Sequence, residues 1–198
     1  MRVAFKEWGV VVDALGRGAQ ILLLRKGGIH EPRGGFRVDY RRFLLFPTRY
    51  HQQRDSVIAA AQARFDALCQ LRLPAEVVRL EFGAELVEAR RIESLAQAKA
   101  LRGQHIWRED VIEGRFGWAK ERTIHALAVR VFRLVRPVEV PLDPLYGGCK
   151  SWITLDRDIP TDEAAPVLSD SEFERKLTEF RGVLPRKKPG LSPPLLPT

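Results

Sequence analysis

Cysteine is almost missing. Cys69 and Cys149 are the only two in 198 residues, which is neither a zinc spacing nor a disulfide framework, so reduced thiols in a cytoplasm are expected. No apolar run approaches the roughly 20 residues of a membrane helix. Lys6, Glu7 and Asp13 interrupt the apolar N-terminal stretch, so neither a signal peptide nor a membrane association is expected. His30, His51, His105 and His125 have no paired metal spacing, and no CxxC or HExxH accompanies them; no metal and no cofactor are expected. A GxSxG elbow is absent too.

What is present is a globular composition with an uneven charge. Hydrophobic residues make up 45% of the chain, with four tryptophans and ten phenylalanines to fill a core. The formal charge is +8. Residues 17–54 hold nine bases against Glu31 and Asp39, a net +7, whereas residues 156–174 hold seven acids against Arg157, a net −6. Such asymmetry suits a surface facing a polyanion, and it suits equally two segments that pair with each other.

Periodicity gives the elements. Phe5, Trp8, Val11, Val12 and Leu15 lie at helical spacing, predicting a helix over 4–15 that Gly16 and Gly18 stop. Residues 19–26 read as a strand apolar on both faces, and "FLLFPT" (43–48) as a second buried strand whose pairing Pro47 ends. A helix is expected over 56–71. In "VVRLEFGAELVEARRI" the alternation slips by one at Val87, which predicts a long strand bent by a bulge. A short helix, "SLAQAKALRG", precedes an aromatic, polar stretch read as a loop with a turn of helix; "HALAVRVFRLV" and "GGCKSWITL" supply two further strands. Ser169 or Ser171 with an acid three residues on caps a helix over 171–181, docked through Phe173, Leu177 and Phe180. The fold class expected is α+β: a small, bent, mostly antiparallel β-barrel with helices packed on it. One domain over 1–184 is expected, followed by a proline-rich flexible tail over 185–198.

Three groups of residues carry chemistry. The stretch "ILLLRKGGIHEPRGGFR" runs from a buried strand into a cationic, glycine-rich loop, where Arg25, Lys26 and Arg37 would neutralise an anion. It is no P-loop, since no GKS or GKT appears and no helix begins at its end; an ordinary solvated hairpin has the same glycines. His51 follows a buried strand and would donate to a ligand, and Arg130 would be a buried donor. Trp107 and Trp118, interleaved with Arg108, Arg115, Lys120 and Arg122, are candidates to stack a base while the cations hold phosphate. The same aromatics would serve equally to cover a core. Glu31, Glu85 and Glu88, with Arg25 and Lys26, are the carboxylates a nuclease or nucleotide-processing hydrolase would use.

The segments "KEW", "LLLRKGGI", "FLLFPT" with His51 and Gln52, "LAVRVFRL" and "GCKSWITL" resemble a bacterial and archaeal family of domains of unknown function, number eighteen-hundred-and-two, over about residues 4–156. That resemblance implies no activity. More distantly, the chain resembles the ASCH group of the PUA-like superfamily, small β-barrels that bind RNA or modified bases. There a helix runs into a Gly-x-Lys-x-x-Glu-x-Arg strand. Gly18 and Arg25 match, while Gln20 stands in place of the lysine and Leu23 in place of the glutamate. Together the readings point to binding of RNA, DNA or a nucleotide, with a hydrolase or a non-catalytic interaction module as alternatives.

Overall fold

The computed structural model describes residues 1–26, 38–49, 52–71, 74, 76–118, 122–148 and 150–185. The glycine loop with Glu31 and Arg37, and also His51, Lys120, Cys149 and the tail from 186, lie outside the described residues. The chain opens with β1 (Val3–Trp8), α1 (Gly9–Gly16), β2 (Leu22–Arg25), β3 (Arg42–Thr48) and α2 (Ala59–Gln70). It continues through β4 (Val77–Ile92), α3 (Leu95–Ala100), α4 (Glu109–Gly117) and β5 (Ile124–Pro141). After β6 (Trp152–Thr154) and β7 (Ala165–Pro166), α5 (Asp170–Val183) closes the described chain.

Among the described residues seven strands make one sheet in the order β2-β5-β4-β3-β1-β6, with β7 pairing β5. Every pair is antiparallel except β1 with β3. The expected α+β class, with a curled and mostly antiparallel sheet, is what forms. The curl brings the two end strands together: Arg25, at the end of β2, donates its Nε to Ser151 Oγ, just before β6, at 3.1 Å. The result is a half-barrel whose seam lies at Arg25.

The expected helix over 4–15 is corrected: residues 3–8 are strand, and the helix begins at Gly9. Parallel pairing of β1 with β3 from Ala4 to Trp8 supplies ladder hydrogen bonds that a local helical period does not reveal. In α1, Val10, Val11, Val12, Ala14 and Leu15 are all buried, so its apolar residues do not form one stripe and mark no clear start. The turn after it needs Gly18, whose φ is +68°. Pro47 does not end the pairing of β3, which follows β1 as far as Thr48 and stops at Leu44 only on the β4 side. The aromatic stretch expected to be mostly loop contains α4, whose first turn carries Glu109 and Asp110 and whose last carries Arg115, the distribution a helix dipole favours.

The bulge in β4 falls where the alternation slips. Leu86 pairs Val129 and Glu88 pairs Ala128, which leaves Val87 as the extra residue. A second irregularity sets Leu80 opposite Val138 and Phe82 opposite Arg133, so β5 carries the excess around Pro137. Period-two alternation in β3 divides the core: Phe43 and Leu45 pack on one side, with Phe5 and α1, while Leu44 and Phe46 pack on the other, with Leu80, Tyr146 and Ile153. Each such buried side chain contributes about 1.5–3 kcal/mol. The capping box forms on Ser169 and Glu172, and Phe173, Leu177 and Phe180 bury one face of α5.

Candidate functional site

The barrel seam gathers charge. Alternation along β1 puts Phe5 and Glu7 on the same face, and Glu7 is only 3% exposed. Its Oε1 accepts the backbone N–H of Trp8 at 2.8 Å. Its Oε2 lies 3.7 Å from Nη1 of Arg25, close enough for ionic attraction but too long for a hydrogen bond. Arg25 also lies 5.1 Å from the Phe5 ring centroid. Its position follows from β2: three buried leucines anchor the strand, and Arg25 pairs His125 at its end.

Helix α4 supplies the opposite wall. Arg115 spreads its guanidinium 3.7 Å above the Trp107 ring and 5.8 Å from that of Trp8, contacts worth about 0.5–2 kcal/mol. Burial holds Arg115 below the usual guanidinium range, the charge of Glu7 opposes that shift, and Arg25 adds to it. Arginine nonetheless stays charged. Lys26 Nζ donates to the Phe116 carbonyl at 3.2 Å, tying the end of β2 to α4. Two residues on, Trp118 follows the helix with half its surface exposed. Two arginines thus stand beside one buried carboxylate, Lys26 ties the same strand end to α4, and an exposed indole follows that helix.

The predicted residues divide between this seam and other places. Arg25, Lys26 and Trp118 lie on it. Trp107 is adjacent but only 2% exposed, with Arg115 over its ring and Trp8 at 4.8 Å; it is a core residue that supports the cation. Arg130 lies elsewhere. Five positions beyond His125 on β5 it is about 16 Å along the strand and on the other face, ion-paired to Asp170 with the Phe173 ring at 5.1 Å. Glu85 pairs Arg41 at 3.1 Å, and Glu88 is clamped between Arg90 and Arg181. The acids of 156–174 find the N-terminal amine, Arg130 and Arg181 among the described residues. Arg37, His51 and Glu31 lie outside the described residues.

Sequence reading did not single out Glu7 and Ser151. Both are buried polar residues next to strongly apolar strands, and the alternation of β1 would have marked Glu7 as inward-facing had residues 3–8 been read as strand. Arg115 was visible only as part of an aromatic–cation run. No group of three His, Cys, Asp or Glu among the described residues could hold a metal ion, and no described helix is long and apolar enough to cross a membrane.

Comparison with known families matches residues 4–179 to the family described as Domain of unknown function (DUF1802). The chain belongs to that family. The match takes in the first ten of the fourteen residues of α5 as well as the sheet, so the family's domain reaches beyond the 4–156 expected from sequence segments. No curated protein matches the chain. Among solved structures it is similar to ASCH from Zymomonas mobilis, at 12% identity and a TM-score of 0.45, over 89% of this chain and 92% of that one. Two single-residue mutants of the same protein match at 14% identity, with TM-scores of 0.46 and 0.44, over 89% of this chain and 93% and 95% of theirs. Gln20, just before β2, and Leu23, within it, both belong to the core. Gln20 is buried, donating to the Leu22 carbonyl at 2.6 Å and accepting from Ile106 N–H at 3.0 Å, and Leu23 is fully buried.

Proposed function

We propose that this family member binds a nucleic acid or a nucleotide-like anion at the barrel seam. The observation that carries the reading is the placement of Arg25 and Arg115 beside the buried Glu7, with Lys26 next in the chain and bonded to α4. Arg25 and Lys26 would hold phosphate, Arg115 would supply field from beneath, and Trp118 would stack a base. Because phosphate contacts release counterions, affinity would fall steeply with salt, with a logarithmic slope of about −0.7 to −0.9 per phosphate engaged. Fluorescence anisotropy with labelled RNA and DNA oligonucleotides across a salt series tests this. No binding even at the lowest salt would sink it.

A second reading is hydrolysis, favoured by the burial of Glu7 next to two guanidinium groups. A carboxylate in that position has the geometry to take a proton while arginines stabilise developing phosphoryl charge. Incubating labelled oligonucleotides with and without magnesium, with Glu7→Gln as control, separates the readings. Binding without cleavage leaves the first alone. Cleavage unaffected by Glu7→Gln removes Glu7 as the reacting group.

A further inference from the structure

The register of the sheet carries the seam onward across two more strands. Arg25 pairs His125 of β5, and His125 pairs Arg91 of β4. Directly opposed residues send their side chains to the same face, so Arg25, His125 and Arg91 make one row across three adjacent strands. The row lies at one end of the sheet: Arg25 is the last residue of β2, His125 the second of β5 and Arg91 the last but one of β4. Alternation puts Glu88 and Arg90 on the opposite face, where Arg181 fastens α5. Helix α5 therefore packs away from the row. The side chain of Arg91 is 53% exposed and that of Arg25 24%, with His125 half-buried between them.

An anion can reach this row and compete for it. Arg91 has Glu93 at 4.0 Å, with both side chains about half exposed, a contact of the kind worth at most about 1 kcal/mol. Neighbouring strands stand about 4.8 Å apart, which sets the backbones of Arg25 and Arg91 about 10 Å from each other. Arg25 turns its Nε to Ser151, towards β6 and away from β5, so its head moves further from Arg91. In this arrangement one phosphate group does not engage both guanidinium groups. A chain of phosphates does, and the imidazole of His125 stands below its middle with a ring N–H to offer.

We infer that the row of Arg25, His125 and Arg91 is a phosphate track, and that the seam takes an oligonucleotide whose backbone crosses β2, β5 and β4, rather than a mononucleotide. Arg25 and Arg91 hold separate phosphates, and His125 donates between them. The inference rests on the anion reading of the seam and narrows that anion to a chain.

Fluorescence anisotropy of the full chain with a labelled deoxythymidine hexanucleotide tests it. Arg91→Gln should lower affinity about three- to fivefold, the scale of one exposed ionic contact. It should also reduce the logarithmic salt slope by about 0.7, one phosphate's share for a single strand. His125→Leu should lower affinity about three- to tenfold, the worth of one hydrogen bond. Arg79→Gln is the control: it lies near the far end of β4 in the same kind of pair, with Glu81 at 3.1 Å, and should change neither quantity. Unlabelled thymidine monophosphate should compete at least about tenfold more weakly than the unlabelled trinucleotide. If Arg25→Ala weakens binding while Arg91→Gln leaves affinity and slope unchanged, the seam reading stands and the track is wrong. Equal losses from Arg79→Gln and Arg91→Gln would reduce the effect to net charge and overturn the track, as would equal competition by the monophosphate. No binding of the hexanucleotide by the unaltered chain at the lowest salt would overturn both readings together.

Discussion

Two buried glutamates in this molecule each stand beside two arginines, and they behave differently. Glu88, 4% exposed, receives Arg90 on one oxygen and Arg181 of α5 on the other, at 3.0 Å. Its hydrogen-bonding capacity is used, and the arginines fasten a helix to the sheet. Glu7, 3% exposed, has one oxygen on the backbone of Trp8, while the nearest guanidinium stands off at 3.7 Å. Its arginines are engaged elsewhere, Arg25 with Ser151 and Arg115 with Trp107. Similar composition therefore produces a clamp in one place and a loosely balanced cluster in the other. Distance decides the role: a closed pair holds structure together, and an open one leaves field and donors for something else.

Removing one partner from the clamp should have the largest effect on stability. Glu88→Ala should cost about 3 kcal/mol by leaving Arg90 buried without its carboxylate, read as a lower midpoint in urea, while oligonucleotide affinity is unchanged. Loss of affinity with intact stability would erase the distinction between the clusters. Acid should come next. Burial first, and the Arg115 charge second, lower His105 to about 4 from its ordinary 6.5. The fold therefore favours the neutral ring. Stability from this group is complete above pH 6.5 and is lost as pH falls toward 4, by about 3 kcal/mol in all. His105→Phe should flatten that part of a stability–pH profile; an unchanged slope would show that the histidine is not the titrating group.

At the seam, Arg25→Ala should weaken oligonucleotide binding by about 10- to 100-fold, corresponding to about 1.5–3 kcal/mol for hydrogen bonds to a charged group. Glu7→Gln should move affinity the other way, since it removes a buried carboxylate that opposes Arg25 and Arg115. If both substitutions weaken binding equally, Glu7 is a ligand contact and the contrast with Glu88 needs redrawing. The smallest effect belongs to α5. Ser169→Ala should cost about 1 kcal/mol through loss of the cap, with the helix still docked, as measured by thermal unfolding.

What the sequence revealed depended on whether a signal was local. The bulge was legible because Val87 breaks an alternation running through its own strand, and the α5 cap because Ser169 and Glu172 lie three residues apart. β1 was not legible, because its helical spacing was accidental and its true partner, β3, comes more than thirty residues later. That single misreading concealed Glu7, whose inward direction is a strand property. Arg25 was found because the buried run of β2 ends on it, at the start of the cationic loop. Trp107 and Trp118 look alike in sequence; only the packing of α4 against the seam makes one a core residue and leaves the other exposed.

The bond from Arg25 Nε to Ser151 Oγ joins the two end strands of the sheet. Neither β2 nor β6 exceeds four residues, so little backbone ladder restrains that edge. A ligand competing for this Nε would unfasten the seam as it binds. Recognition and the width of the barrel would then be a single adjustable quantity, and hydrogen exchange at Leu24 and Ile153 would report on occupancy from a distance.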